Sequence, residues 1–270
     1  MAEAAEDIDD LATPPSDATS KKRNAFAELM APKPKLAKTD SKPPETTSKR
    51  GNWSGALLDY IDHPERFPQQ ALRVTPNTVL IKDSFPKATV HLLLLPRSSA
   101  HYNLHPHEAF NDAAFLAMMK DEAASAARLA AAELSRQLSS FSASSAARNA
   151  AMDAGVSSEE LPPGRDYLSD IRIGVHAHPS MSHLHVHIIS KDMHSEKTKH
   201  RKHYNSFNTP FFIPLDDYPL AEDDERRNTA FQNANLNRDF VCWRCGRDFG
   251  NKFAQLKKHL EDEFEQWKKV

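Results

Sequence analysis

The sequence predicts one domain of mixed helices and strands, then a small metal-binding module, with a disordered tail ahead of both. Three observations carry this. Apolar runs of strand length recur at 78–82, 89–95, 167–173 and 183–190, around a long helical pattern at 107–138. The only two cysteines, Cys242 and Cys245, sit three apart, which suits a metal site rather than a disulfide framework. The hydrophobic fraction of 39% is below the usual ~45–50%, so part of the 270-residue chain lies outside any core. Seven glycines exclude a collagen-like chain. No run approaches the ~20 apolar residues of a membrane span, and no membrane partner is expected. Residues 1–10 are acidic without an apolar core, so they are not a secretory signal. These features describe a soluble intracellular protein.

Each element has a local reason. Residues 1–50 are polar and rich in Pro, Lys, Ser and Thr, the composition of a disordered tail. Within them Lys21, Lys22 and Arg23 read as a nuclear import signal, and Phe26, Leu29 and Met30 as one helical turn facing a repair-protein partner or as a stray apolar cluster. Order is expected from Trp53, with Leu57, Tyr60 and Ile61 at helical spacing and Pro64 and Pro68 as stops. Two strands follow, joined by Asp83-Ser84-Phe85-Pro86-Lys87. The helical stretch 107–138 carries Phe110, Phe115, Leu116, Met119 and a run of alanines. Residues 139–164 turn to Ser and Ala and read as a mobile insertion. Strands resume, then a polar segment at 191–203, an aromatic run around Phe207, Phe211 and Phe212, and an acidic connector at 216–227 leading to a helix. The expected division is 1–50 tail, 51–225 catalytic domain and 226–270 separate finger module.

The most informative stretch runs from Pro179-Ser180-Met181-Ser182 through His183-Leu184-His185-Val186-His187. Strand alternation puts the three histidines on one face and the apolar residues on the other. Three imidazoles on one face are costly as plain core, because each needs a hydrogen-bond partner. The column supports either a histidine nucleophile flanked by phosphate-binding neighbours or a three-histidine metal site.

His-x-His-x-His followed by two apolar residues resembles the signature of the histidine-triad nucleotide hydrolases and transferases. Asp83, Pro86, His91 and Pro96 match the pattern of that family's nucleotide-binding hairpin. The resemblance implies an α+β histidine-triad fold, an antiparallel sheet with flanking helices. It also implies phosphoryl transfer needing no catalytic metal, with His185 as the nucleophile that forms a histidyl-AMP. His187 would contact phosphate oxygens, His183 would orient His185, His91 would back the column or the nucleotide, and Asp83 would accept from ribose hydroxyls.

Downstream, Cys242, Cys245, His259 and Glu263 have almost the spacing of a two-Cys two-His zinc finger, with Phe249, Phe253 and Leu256 as its small core. His259 and Glu263 share one helix face. A carboxylate oxygen can ligate zinc, so Glu263 is read as the fourth ligand of one structural Zn2+ in a small ββα-like finger. The alternative is a solvated helix carboxylate. The basic stretch with Lys191, Lys197, Lys199, Arg201 and Lys202 is placed to meet nucleic-acid phosphates, or is a solvated loop.

Together these blocks resemble the aprataxin family of DNA-adenylate hydrolases, over roughly residues 52–267. The resemblance rests on Trp53, the 82–88 hairpin, His91 with Pro96, His176 with 179–182, the triad, 203–209 and the finger. It implies removal of AMP from 5′-adenylated DNA at nicks, breaks and RNA–DNA junctions, with AMP as product, activity on capped 3′ ends in some members, and a nuclear location. Carried over by position, Trp53 would stack on the terminal base pair, at ~1–3 kcal/mol per base. Lys82, Asp83, Ser84, Phe85, Pro86, Lys87, His176, Ser180, Met181, Ser182, Lys202 and His203 would line DNA and AMP. Residues 1–50 are too short and polar for the phosphopeptide-binding domain of some animal members, and Glu263 replaces the usual second histidine.

Overall fold

The computed structural model describes residues 55–270. Trp53, the Lys21–Arg23 run and the Phe26/Leu29/Met30 island lie outside the described residues. Helix α1 (Leu58–Asp62) ends where Pro64 opens a 3-10 turn. Strands β1 (Ala71–Val74), β2 (Thr78–Lys82) and β3 (His91–Pro96) follow. The helical stretch is two helices, α2 (Pro106–Ala109) and α3 (Ala113–Leu138). Asp112 divides them: its carboxylate accepts from the N–H groups of Ala114 and Phe115, an N-cap that starts α3 afresh.

Beyond α3 come helix α4 (Ala143–Asp153) and strands β4 (Ile171–His176) and β5 (Val186–Ser190). Then follow α5 (Arg201–Asn208), β6 (Phe212–Pro214), α6 (Thr229–Leu236) and α7 (Phe253–Trp267). The six strands form one antiparallel sheet in the order β1-β2-β3-β5-β4-β6. This is the antiparallel sheet with flanking helices that the sequence implied.

The two faces of the sheet differ in what covers them. Leu80, Leu92, Leu94, Val186 and Ile188 share one face with Val175 and Ile213, and α3 lies across it. Buried Ala123, Ala126, Ala127 and Ala130 leave α3 a smooth side that sits close on that face. The opposite face carries Leu57 and Ile61 against β2 and β3 at one end. At the other end Tyr204 and Phe207 of α5 pack on it with Ile189 and Phe212. His91 and His187 are on this second face, between the two caps.

Four expectations need correction. Strand β4 starts at Ile171 rather than 167, because the Asp166 side chain accepts from Leu168 N–H and Ser169 N–H and holds 166–169 in a turn. Strand β5 starts at Val186, so His183 and His185 precede it; the N–H of Leu184 bonds to Tyr102 O instead of to β3. The stretch 139–164 is helical over Ala143–Asp153, and its start is tied to the chain's end by Ser142 Oγ donating to Val270 O (2.6 Å) and Ala143 N–H to Lys269 O (3.0 Å). The finger is not a separate module: Phe240, Cys242, Phe249, Leu256 and Leu260 share one core with Ile189, Met193, Tyr204 and Phe207. Elements β1, α5 and β6 were not anticipated; each is short, and tertiary pairing rather than local pattern makes it.

Candidate functional site

The turn between β2 and β3 is built first. Asp83 Oδ1 accepts from Phe85 N–H (2.7 Å), and Asp83 N–H donates to His91 O (3.1 Å). The 195–198 segment clamps it, with Ser195 Oγ donating to Pro86 O (2.6 Å) and Thr198 Oγ1 to Lys87 O (3.4 Å). The middle of the basic stretch is thereby fixed beside the nucleotide-hairpin residues.

A directed hydrogen-bond chain runs from this turn into the triad. The backbone N–H of Lys87 can only donate, and it points at His91 Nδ1 (3.2 Å). That assigns the proton of His91 to Nε2, which donates to His187 Nδ1 (2.9 Å). The proton of His187 then sits on its own Nε2, which is buried and has no partner. Separately, His185 Nδ1–H donates to the carbonyl of His183 (2.7 Å), so His185 Nε2 carries the free lone pair.

Burial keeps these imidazoles neutral. Burial holds His185 below the ordinary histidine range, and pushes His91 down to about 4 despite the attraction of Asp83. Burial, then the neighbouring imidazoles, hold His187 and His176 well below it. The column is therefore neutral at pH 7: one bare nitrogen, and one N–H without a partner. His176 adds a second buried, unpartnered Nε2, its ring 4.4 Å from that of His187. Phe207 packs its ring against His91, His176 and His187. Gly174 lies opposite His187, and a Cβ there would stand 2.7 Å from the Phe212 ring and 2.5 Å from Ile213 O.

The expected site residues divide. Asp83, Lys87, His91, His176, His185 and His187 come together, and His203 is close enough for Lys87 to lower its pKa after burial does so. Ser84 and Phe85 are exposed on the turn, and Pro86 is half-buried. Ser180 and Ser182 are exposed, Met181 packs beside the Leu57 and Ile61 cluster, and Lys202 is exposed on α5. His183 acts on His185 through its carbonyl; its ring lies by Tyr102 with Nδ1 unpartnered. Lys82, exposed and next to Asp83, pairs with Leu92, whose side chain is in the α3-facing core, so alternation puts the Lys82 side chain on that face, where its charge reaches Glu133 of α3. Asp83, His91 and His187 also lie within 4.8 Å of one another at their ligand atoms, yet the His91–His187 bond already occupies the two facing nitrogens.

A second cluster joins Cys242, Cys245, His259 and Glu263, whose donor atoms all lie within 4.8 Å of one another. A hairpin brings the two thiols round: Cys242 N–H donates to Arg247 O, Gly246 N–H to Cys242 O, and Val241 bridges Asp248. Gly246 has φ +73°, which this tight turn requires. Cys245 Sγ is 3.1 Å from His259 Nε2, which is 3.3 Å from Glu263 Oε1. Two thiols, an imidazole nitrogen and a carboxylate oxygen facing one point are a donor set zinc accepts. The Glu263 carboxylate is half-buried here, with Oε1 toward His259 Nε2 and Oε2 toward Arg244.

Comparison with known proteins agrees with both clusters. The HIT domain model matches residues 65–194, and the model for the C2HE / C2H2 / C2HC zinc-binding finger matches 208–266. An aprataxin-like protein of Saccharomyces cerevisiae is 36% identical over 223 residues, 79% of this chain and 96% of that protein. The chain belongs to the aprataxin-like family. A second aprataxin-like protein, from Schizosaccharomyces pombe, is 32% identical to it over 78% of this chain and 81% of the relative. Among solved structures, that of the aprataxin ortholog Hnt3 in complex with DNA covers 80% of this aprataxin-like chain and 96% of its own, at 28% identity and a TM-score of 0.62. Hnt3 in complex with DNA and guanosine superposes equally well.

Proposed function

We propose that this chain is a DNA-repair hydrolase that removes AMP from 5′-adenylated DNA ends at nicks, breaks and RNA–DNA junctions. The observation that carries the reading is the bare Nε2 of the buried residue His185 beside the unpartnered His187 Nε2–H. His185 Nε2 attacks the phosphorus of the AMP moiety, forming an N–P bond. The P–O bond to the DNA 5′-phosphate breaks and releases that phosphate as leaving group. The new imidazolium keeps its Nδ1–H on the His183 carbonyl, which stabilises the positive charge. His187 Nε2–H donates to an equatorial phosphate oxygen as charge develops, and the Lys87 ammonium adds a cation nearby. Water then attacks phosphorus and gives up a proton to solvent, the N–P bond breaks with its electron pair returning to His185 Nε2, and AMP leaves with neutral His185 restored.

The finger and the basic stretch support DNA rather than a free nucleotide conjugate as substrate, as do relatives solved with DNA. On this reading Cys242, Cys245, His259 and Glu263 hold one structural Zn2+, the chemistry uses no catalytic metal, and the protein works in the nucleus. Contact with a repair protein through Phe26, Leu29 and Met30 belongs to the same reading, as does activity on capped 3′ ends.

The test is incubation with a 5′-adenylated nicked duplex, the strands resolved on a denaturing gel, with His185→Ala in parallel. Conversion to the 5′-phosphate by wild type alone is expected, with an adenylated protein trapped on acid quench. Turnover by purified His185→Ala would overturn the mechanism. Equal kcat/KM for a small adenylated amine would move the substrate away from DNA.

A further inference from the structure

We propose that Arg244 is the positioning residue that makes Glu263 a zinc ligand. Glu263 offers two oxygens. Oε1 faces His259 Nε2 at 3.3 Å within the donor cluster, while Oε2 accepts from Arg244 NH1 at 2.7 Å. The two oxygens thus have separate duties, and the guanidinium fixes the carboxylate plane that aims Oε1 inward. Arg244 stands between the two cysteines, so the loop that supplies both thiols also supplies the clamp on the helix ligand.

Charge gives a second, independent reason. A dication held by two thiolates and a neutral imidazole is neutral when a histidine takes the fourth place, and carries one net negative charge when a carboxylate does. Arg244 supplies the compensating positive charge 2.7 Å from that carboxylate. The need for Arg244 follows from the presence of Glu263, and a histidine in its place has no second oxygen to hold and no excess charge to balance. This inference does not depend on which reaction the triad performs.

The experiment is a zinc-affinity measurement on the full chain, by competition with a chromogenic chelator. Arg244→Ala is expected to weaken zinc binding about 10- to 100-fold, the range for losing an outer-shell partner, and Arg244→Lys to recover most of it. In a Glu263→His background the same Arg244→Ala change is expected to alter affinity by no more than about twofold, as for uncoupled sites. Unchanged zinc affinity in Arg244→Ala, or an equal loss in both backgrounds, would overturn the assignment. So would wild-type zinc affinity together with a salt dependence of plain-duplex binding shallower by about one unit, which marks a phosphate contact. If Glu263→His does not fold, Glu263→Gln, which removes the charge, replaces it as the background with the same expected outcomes.

Discussion

The histidine column illustrates how single backbone groups set the chemistry of side chains. Lys87 N–H and His183 C=O, neither of them a side-chain group, decide which nitrogen of His187 and His185 carries a proton. Replacing the His183 ring therefore removes much less than replacing His185: His183→Ala is expected to retain measurable single-turnover adenylate transfer where His185→Ala shows none. Protonation works through the same groups. The folded pKa of His185 lies below its ordinary value of ~6.5, so the nucleophile is free at neutral pH and turnover falls only as pH drops through that lowered value. His91 and His107, both pushed down to about 4 by burial, take up protons on unfolding between about pH 6.5 and 4. The stability they contribute is full above 6.5 and is lost as pH falls toward 4, so melting temperature should decline across that window. A flat profile there would mean the imidazoles are not held neutral.

At the scale of elements, α5 is the part that connects the two sites. One side of it sends Phe207 against the active-site imidazoles. The other side holds the start of the finger: Tyr204 Oη accepts from Trp243 N–H (3.0 Å) and donates to Val241 O (2.9 Å), on either side of Cys242. Asn205 Nδ2 donates to Leu236 O and Arg238 O, and Arg201 to Asn237 O and Arg238 O. Tyr204→Phe leaves a backbone donor and acceptor unpaired, at a cost of about 1–3 kcal/mol each if they stay dry. Phe207→Ala is expected to cost about 3–5 kcal/mol in denaturant unfolding, as for a buried aromatic, and to lower kcat more than it raises KM because the ring steadies His187. An unchanged kcat would place the support of His187 elsewhere.

Across the whole molecule the finger is held at several points. His194, just past β5, stacks on Phe264 with ring centroids 4.0 Å apart and pairs with Glu261 (2.6 Å). Arg165 lies over the Trp267 ring and donates to Trp267 O, while its other nitrogens pair with Asp170. The 139–164 stretch receives Lys269 and Val270, just past α7, through Ala143 and Ser142. Removing zinc should therefore loosen a core shared with β5 rather than a free appendage. Chelation, or Cys242→Ala, is expected to lower the melting temperature of the full chain and weaken DNA binding, with residual hydrolysis of a small adenylate surviving. Hydrolysis that vanishes with chelator and returns with zinc would instead put a metal in the reaction.

What the sequence by itself determined is whatever short-range spacing encodes. Period-two histidines, a Cys-x-x-Cys pair and an i,i+4 His–Glu pair are local patterns, and each pointed to the cluster that forms. Strands as apolar as β2 and β3 are legible for the same reason, since their own residues specify burial. The tertiary structure alone decided where β5 begins, because Leu184 N–H bonds to Tyr102 O, in a loop far earlier in the chain. It alone set the side of the sheet on which the Lys82 side chain lies, through the register of β2 with β3. It alone made a polar run into α5, and joined the finger to the catalytic sheet. These outcomes depend on partners distant in sequence, whose hydrogen bonds and shared apolar surface no local window contains.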